Sequence, residues 1–400
     1  MSKRRVVVTG LGTINPLGNN VEDTWENLVN GVSGIDSITS FDTSNLPVTF
    51  AGEVKNFDAN EYMGKQHARK LDRSGHLSIY ATEEALKDAR LDNQERLGPN
   101  VGIVFGTGIG GIGATEDAVR TFDERGPSRV NPLAITQLMP NSSTGQVAIK
   151  FGIEGPSVTI TTACAASANA VGEAKNMIEN GIVDIVVTGG TESGTTPMTI
   201  AAFAQIRALS TQNDNPKEAC KPFDKNRDGF VMGEGSTVLI LESEESAKSR
   251  NAEIYAYIDG YGSTTDAYHI TAPAEGGAGA VKAMEKAINR YNVKAEICKN
   301  LDKVDLQELC DATEEAIIGG GGFGWISPPS IKTLQNYWKG VLLIPERILI
   351  IGKLDSVIAG SVQLIKPAKN NEAQSHSCTL STFFFAPWAR GFGLAKAVFQ

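Results

Sequence analysis

Short β-branched runs alternate with helix-length segments through the first 250 residues, and that alternation restricts the chain to an α/β architecture. Residues 6–12, 101–105, 156–160, 185–188 and 237–241 read as strands. Residues 24–30, 76–89, 145–151 and 167–180 read as helices, the last rich in alanine and ended by Gly181. Such a series stacks into a sheet with helices on both faces, and residues 156–160 are expected to be a buried strand in it. The 42 glycines fit a fold with many tight turns better than a helical bundle. A fresh strand at 254–261 and an amphipathic helix at 278–291 mark the start of a second α/β half, expected from residue 251.

One stretch in this pattern carries chemistry: Thr161-Thr162-Ala163-Cys164-Ala165-Ala166-Ser167. With a strand behind it and a helix ahead, Cys164 falls on a strand-to-helix turn. Unpaired N–H groups and the positive end of the helix dipole favour a thiolate there. The competing reading is a small cysteine packed in a core, because free cysteine is among the most buried residue types. The five cysteines, at positions 164, 220, 298, 310 and 378, form no CxxC pair and no metal-ligand spacing. No metal site is expected, and a reducing, cytoplasmic setting is the simplest account. A net charge of −9 gives no attraction for nucleic acid or for an anionic membrane. No apolar run approaches ~18–20 residues, so no transmembrane helix is expected, and the N-terminus lacks the apolar stretch of a signal peptide.

Three motifs imitate binding sites. Residues 6–12 read as a strand running into a glycine turn, but Pro16 falls where a dinucleotide-binding helix should begin. Gly106-Thr-Gly108-Ile109-Gly110-Gly111 matches GxGxxG after a strand, yet no acidic residue ends a second strand ~20 residues on. Tight turns beside a packed site are the better use of these glycines. Asp224-Lys-Asn-Arg-Asp228-Gly229 opens like a calcium loop, but position twelve is Gly235 and a strand follows in place of a helix.

Taken in order, several segments are similar to those of a β-ketoacyl-acyl-carrier-protein synthase of the elongating type. These are Lys3-Arg-Arg-Val-Val-Val-Thr-Gly-Leu-Gly12, the Gly108 turn, the Cys164 stretch, Arg207-Ala-Leu-Ser-Thr-Gln-Asn-Asp-Asn-Pro216, Pro222-Phe-Asp-Lys-Asn-Arg-Asp-Gly-Phe230 and Asp266-Ala-Tyr-His-Ile-Thr-Ala-Pro273. The resemblance runs from residue 1 to about 297. It implies a thiolase-like layered sandwich of two similar α/β halves, paired as a homodimer, that performs a decarboxylating Claisen condensation without a cofactor. Cys164 would take the acyl group from a carrier-protein thioester and malonyl-carrier protein would supply the carbanion. Ile109 matches the residue lining the acyl pocket. Lys65, Arg69 and Lys70 fall where an acidic carrier protein docks, although a solvated basic face explains them equally well.

The same resemblance exposes a departure. The family carries two catalytic histidines, in Asn-Ala-His-Gly-Thr and Lys-Ser-x-x-Gly-His segments. The four histidines here, His67, His76, His269 and His376, match neither. The family's late Gly-Phe-Gly-Gly loop is also missing, since Gly321-Gly322-Phe323-Gly324 has similar letters in unrelated surroundings. The second half is therefore expected to be truncated, covering 251–298, with full condensing activity impaired.

From about residue 299 the sequence changes character. Residues 306–318 read as a helix, 348–352 and 357–364 as a hairpin, and 379–385 as a strand leading to Arg390-Gly391-Phe392-Gly393-Leu394-Ala395. This segment resembles the acetyl-coenzyme A site of a GNAT-type N-acetyltransferase, whose R/Q-x-x-G-x-G/A pattern fits Arg390, Gly393 and Ala395. Glycine-loop N–H groups at a helix start suit a pyrophosphate. The expected third unit is thus a partial GNAT-like α/β segment at 299–400, with acetyl-coenzyme A as its ligand. Two further readings stand beside the condensing enzyme. One is an acetyltransferase with an N-terminal extension; the other is a non-catalytic carrier-protein-binding or dimerising remnant of a fused or misassembled gene.

Overall fold

The computed structural model describes residues 4–93, 95–288, 293–320, 324–367 and 377–399. The chain divides into two compact units, Met1–Asp259 and Gly260–Gln400.

The first unit opens with β1 (Val6–Ile14), α1 (Val21–Val29), β2 (Asp36–Ser37), β3 (Phe50–Ala51), α2 (Ala59–Met63), α3 (Lys65–Ala68) and α4 (Arg73–Asp88). It continues through β4 (Val101–Gly106), α5 (Ile112–Arg125), α6 (Ala134–Leu138), α7 (Ser142–Phe151), β5 (Ser157–Ile160) and α8 (Ala166–Glu179). It closes with β6 (Ile185–Ser193), α9 (Pro197–Gln205), β7 (Glu234–Ser243), α10 (Glu244–Ser249) and β8 (Ala256–Tyr257). Its main sheet has the order β5-β4-β6-β7-β1-β8. β4 runs parallel to β5 and β6, whereas β7 is antiparallel to β6 and β1.

Strand alternation sorts side chains onto two cores. Ile103, Phe105, Val187, Val238 and Ile240 face α4 and α7 through Leu77, Ala81, Ala85 and Val147. Val6, Val8, Val104, Val186 and Leu241 face α8 through Ala170, Ala174 and Ile178. Burying a large aliphatic side chain is worth roughly 1.5–3 kcal/mol, so both faces anchor their helices. Helix starts are capped as well: Asp72 accepts from Ser74 N at the start of α4, and Thr196 makes a capping box at the start of α9.

Three sequence expectations change here. β1 does not turn at its glycines but runs on to Ile14. A Cβ on Gly12 would stand 2.0 Å from Ala81 O, so these glycines admit the backbone of α4 against the strand. β5 is not a buried strand; Ser157 and Val158 are exposed because β5 is the edge of its sheet. The strand expected at 254–261 shrinks to β8, whose two residues pair with β1 of the first unit. Residues 251–259 therefore belong to the first unit, and the expected boundary at 250 moves to Asp259.

The second unit contains α11 (Ala278–Ile288), β9 (Val293–Cys298), α12 (Lys303–Ile318), α13 (Ile331–Leu342), β10 (Arg347–Leu354), β11 (Val357–Ile365), β12 (Thr379–Phe385) and α14 (Leu394–Phe399). The helix expected to reach Tyr291 is described as far as Ile288; its last residues lie outside the described ones. Its antiparallel sheet has the order β12-β11-β10-β9. One core gathers Leu309, Cys310, Leu334, Trp338, Leu349, Ile351 and Ile358. A second gathers Leu354, Val362, Phe385, Leu394 and Val398. β10 and β11 meet across Asp355 and Ser356, whose φ values of +50° and +74° make the hairpin turn. A boundary at 298/299 is also corrected. β9 pairs along β10 from Cys298–Leu349 to Val293–Leu354, which binds residues 293–298 into one sheet with β10, β11 and β12. Among the described residues, no helix is long and apolar enough to cross a membrane.

Candidate active site

Cys164 sits on a single 3-10 turn, Ala163–Ala165, between β5 and α8. Ala163 has φ +50°, a left-handed conformation that costs a non-glycine residue roughly 1–2 kcal/mol. The turn is closed by Ala165 N donating to Thr162 O at 3.2 Å, and Thr162 Oγ1 donates to Asn169 Oδ1 at 2.6 Å. The result is a thiol that faces solvent: Cys164 is exposed, which rules out the packed-core reading. Cys298 and Cys310 are the buried ones, and burial raises both thiols, that of Cys310 to about 11.

Two glycines let the first turn of α8 lie on the sheet. A Cβ on Gly106 would stand 2.3 Å from the carbonyl carbon of Ala166, and one on Gly190 would stand 1.9 Å from Ser167 Oγ. Beside them opens a cavity of about 780 Å³, lined by Cys164 together with Ile109, Val171, Phe203, Phe230, Met232 and Leu239. Its wall is largely apolar and its polar groups are few, the usual composition of a ligand pocket. Ile109 keeps 40% of its surface exposed there.

The imitating motifs resolve into internal contacts. In the Gly106–Gly111 turn, the N–H groups of Gly108 and Ile109 donate to the carboxylate of Glu192. Asp228 accepts from Ser210 Oγ, Thr211 N and Gln212 Nε2, while Asp224 accepts from Asn226 N. Glu234, near the twelfth position of the calcium-like loop, is paired with Arg73 at 2.9 Å.

Lys65, Arg69 and Lys70 are exposed on and just after α3, away from the cavity lining. His67 between them is held below its ordinary pKa by burial and then by Lys150 and Lys70. Among the described residues, no histidine lines the cavity. His76 Nε2 meets Ala68 O at 2.8 Å, and exposed His269 takes Thr271 N and Ala272 N on Nδ1. His376 lies outside the described residues, as do Gly321, Gly322 and Phe323. In the second unit Arg390, Gly391, Gly393 and Ala395 lie between β12 and the first turn of α14, and all four are exposed. The glycines have φ +88° and +86°, and Arg390 Nε donates to Phe385 O at 3.2 Å.

Sequence reasoning missed Glu192, Phe203, Phe230 and Met232. The Gly189-Gly190 pair inside a strand was a usable signal of close backbone approach. Phe230 ends the Pro222–Phe230 segment of the family resemblance, whereas Phe203 had no signal.

Residues 3–247 match the family description beta-ketoacyl synthase, N-terminal domain. A 3-oxoacyl-[acyl-carrier-protein] synthase 2 of Staphylococcus aureus (strain COL) is 48% identical over 291 residues, covering 73% of this chain and 70% of that protein. Its counterpart in Synechocystis is 46% identical, covering 74% and 71%. Among solved structures, the ishigamide ketosynthase/chain length factor superposes with a TM-score of 0.66 at 32% identity, covering 72% of this chain and 70% of that one. These matches reach the fold and the turn of Cys164 together, and the chain belongs to the β-ketoacyl synthase family.

Proposed function

We propose that the chain is a 3-oxoacyl-acyl-carrier-protein synthase of fatty acid elongation by type, with Cys164 as its acyl acceptor. The observation that carries this is the exposed thiol at the apolar cavity. In the transfer step, Cys164 Sγ attacks the thioester carbonyl carbon and a new C–S bond forms. The carrier thiol leaves, taking up the proton that the cysteine gave. The acyl chain then lies in the cavity against Ile109. No cofactor enters this chemistry. Lys65, Arg69 and Lys70 offer positive charge to an acidic carrier protein.

Cys164 at the cavity supports this first half of the reaction, and none of the described histidines stands by the cavity to assist decarboxylation. The reading is therefore acyl transfer without efficient condensation. Incubation with acyl- and malonyl-carrier protein tests it: an acyl adduct on Cys164, absent in C164S, with little 3-ketoacyl product is expected. A chain that stays unmodified overturns the reading, and abundant product overturns the half-reaction. Homodimer formation is part of the proposal, supported by the exposed β5 edge and by exposed Ile135 and Met139. Sedimentation measures it. All five cysteines are free thiols, which suits the cytoplasm.

A second reading concerns residues 293–399. The order β9-α12-α13-β10-β11-β12-α14, with Thr382 at φ +52° breaking the β11–β12 register, supports descent from a GNAT-type fold. Arg390, Gly391, Gly393 and Ala395 would hold acetyl-coenzyme A, whose bound form supplies the acetyl group. Calorimetric titration with acetyl-coenzyme A, wild type against R390A, decides this reading; no heat of binding removes it.

A further inference from the structure

The glycine loop after β4 has the letters of a phosphate cradle, and its anion comes from the chain itself. Oε2 of Glu192, near the end of β6, accepts from Gly108 N, from Ile109 N at 3.1 Å and from Thr107 Oγ1 at 3.2 Å. Thr107 Oγ1 accepts in turn from Gly110 N at 3.1 Å. Residues 107–110 are thus tied, directly or through one hydroxyl, to one oxygen. Successive N–H groups converging on a point form an anion nest, and bonds to an ionised acceptor are roughly twice as strong as neutral ones.

The other oxygen, Oε1, is buried and has no hydrogen-bond partner among the described residues. Burial without a partner is unfavourable, so the bonds that Oε2 makes must offset that cost. Its load lies on the reactive side of the molecule. Ile109 lines the cavity, and a Cβ on Gly108 would stand 3.0 Å from Glu192 Oε2 and 3.8 Å from Ala163 Cα. Carboxylate, loop and nucleophile turn are packed in succession.

We propose that Glu192 is a positioning residue. It locks the 107–110 loop, sets how far Ile109 closes the cavity, and thereby selects the length of chain that can lie beside Cys164. The inference rests on reading Cys164 as the acyl acceptor, but its test does not depend on acyl transfer.

N-alkyl iodoacetamides with methyl, hexyl and dodecyl tails alkylate a thiol without catalysis, and peptide mapping reports the rate at Cys164. Wild type should show a marked rate ratio between tail lengths. E192A should flatten that ratio by about tenfold, within the range that a displacement of ~1 Å costs a positioned site. E192Q keeps a carbonyl acceptor for the two N–H groups and should restore most of it. If E192A does not fold, G108A serves instead, because its methyl group crowds Oε2 while the carboxylate remains. An unchanged tail-length ratio in the folded variants overturns the proposal. Failure of acyl-carrier protein to modify wild-type Cys164 would instead remove the parent reading, while the tail-length ratio still reports on the clamp.

Discussion

Each unit places a glycine turn between a strand and a helix, β4 to α5 in the first and β12 to α14 in the second, and the two turns are built on different physics. In the first, the N–H groups of Gly108 and Ile109 converge on Glu192, and Gly111 is required for room: a Cβ there would stand 2.1 Å from Gln137 O. In the second, an added Cβ on Gly391 or Gly393 meets nothing within 4 Å among the described residues, and only their positive φ calls for glycine. The cysteines differ in parallel. Cys164 is exposed on its turn, whereas Cys310 is buried under Trp338 and its neighbours. The same letters therefore mark a filled, packed turn in one unit and an open one in the other.

The largest expected contrast is in thiol labelling. With its pKa pushed up to about 11, Cys310 is ionised to only about one part in a thousand at pH 8 and is also inaccessible. Iodoacetamide should label Cys164 at least about a hundredfold faster, read by peptide mapping so that exposed Cys220 and Cys378 are counted separately. The sign with pH follows from the raised value. The fold keeps the thiol neutral, so its stabilising effect is complete below the ordinary thiol value of 9.0 and is lost as pH rises towards 11. Cys310 labelling should climb over that window. Equal labelling of both at pH 8 would break the comparison.

Next in size is the effect of added volume. G106A drives a methyl group into the backbone of Ala166 and Ser167, and urea unfolding should show a loss of about 3 kcal/mol, the upper part of the overpacking range. Cys164 labelling should change with it, because α8 begins there. The smallest effect belongs to the open turn. G393A meets no described atom and suffers only the left-handed backbone, so it should lose about 1–2 kcal/mol without disturbing Cys164. If G393A proved the costlier of the two, packing would not be what separates the turns.

Much of the fold was legible because its signals are local. The apolar, β-branched runs of β4, β6 and β7 and the amphipathic α4 carry their own patterns, and β12 covers the residues 379–385 expected to be a strand. α13 was equally readable in principle, since Ser330 caps it and Leu334, Trp338 and Val341 share a face, yet no expectation was placed on it. α5 carries Ile112, Val119 and Phe122 at helical spacing, but only Ile112 is buried, so its apolar stripe does not report on the core of this chain. The exposure of β5 was hidden too, because an apolar run has the same letters in mid-sheet and at an edge.

By itself the sequence determined the family, the alternating α/β plan and the place of Cys164 between a strand and a helix, because each is written in neighbouring residues. Only the tertiary structure decided that this thiol is exposed, that the glycine loop is closed by a carboxylate more than eighty positions away, and that residues 293–298 join the sheet of the second unit. Those outcomes turn on which backbones come within a few ångströms of each other. Packing sets such distances between segments far apart in the chain, and no local pattern of residue types encodes them.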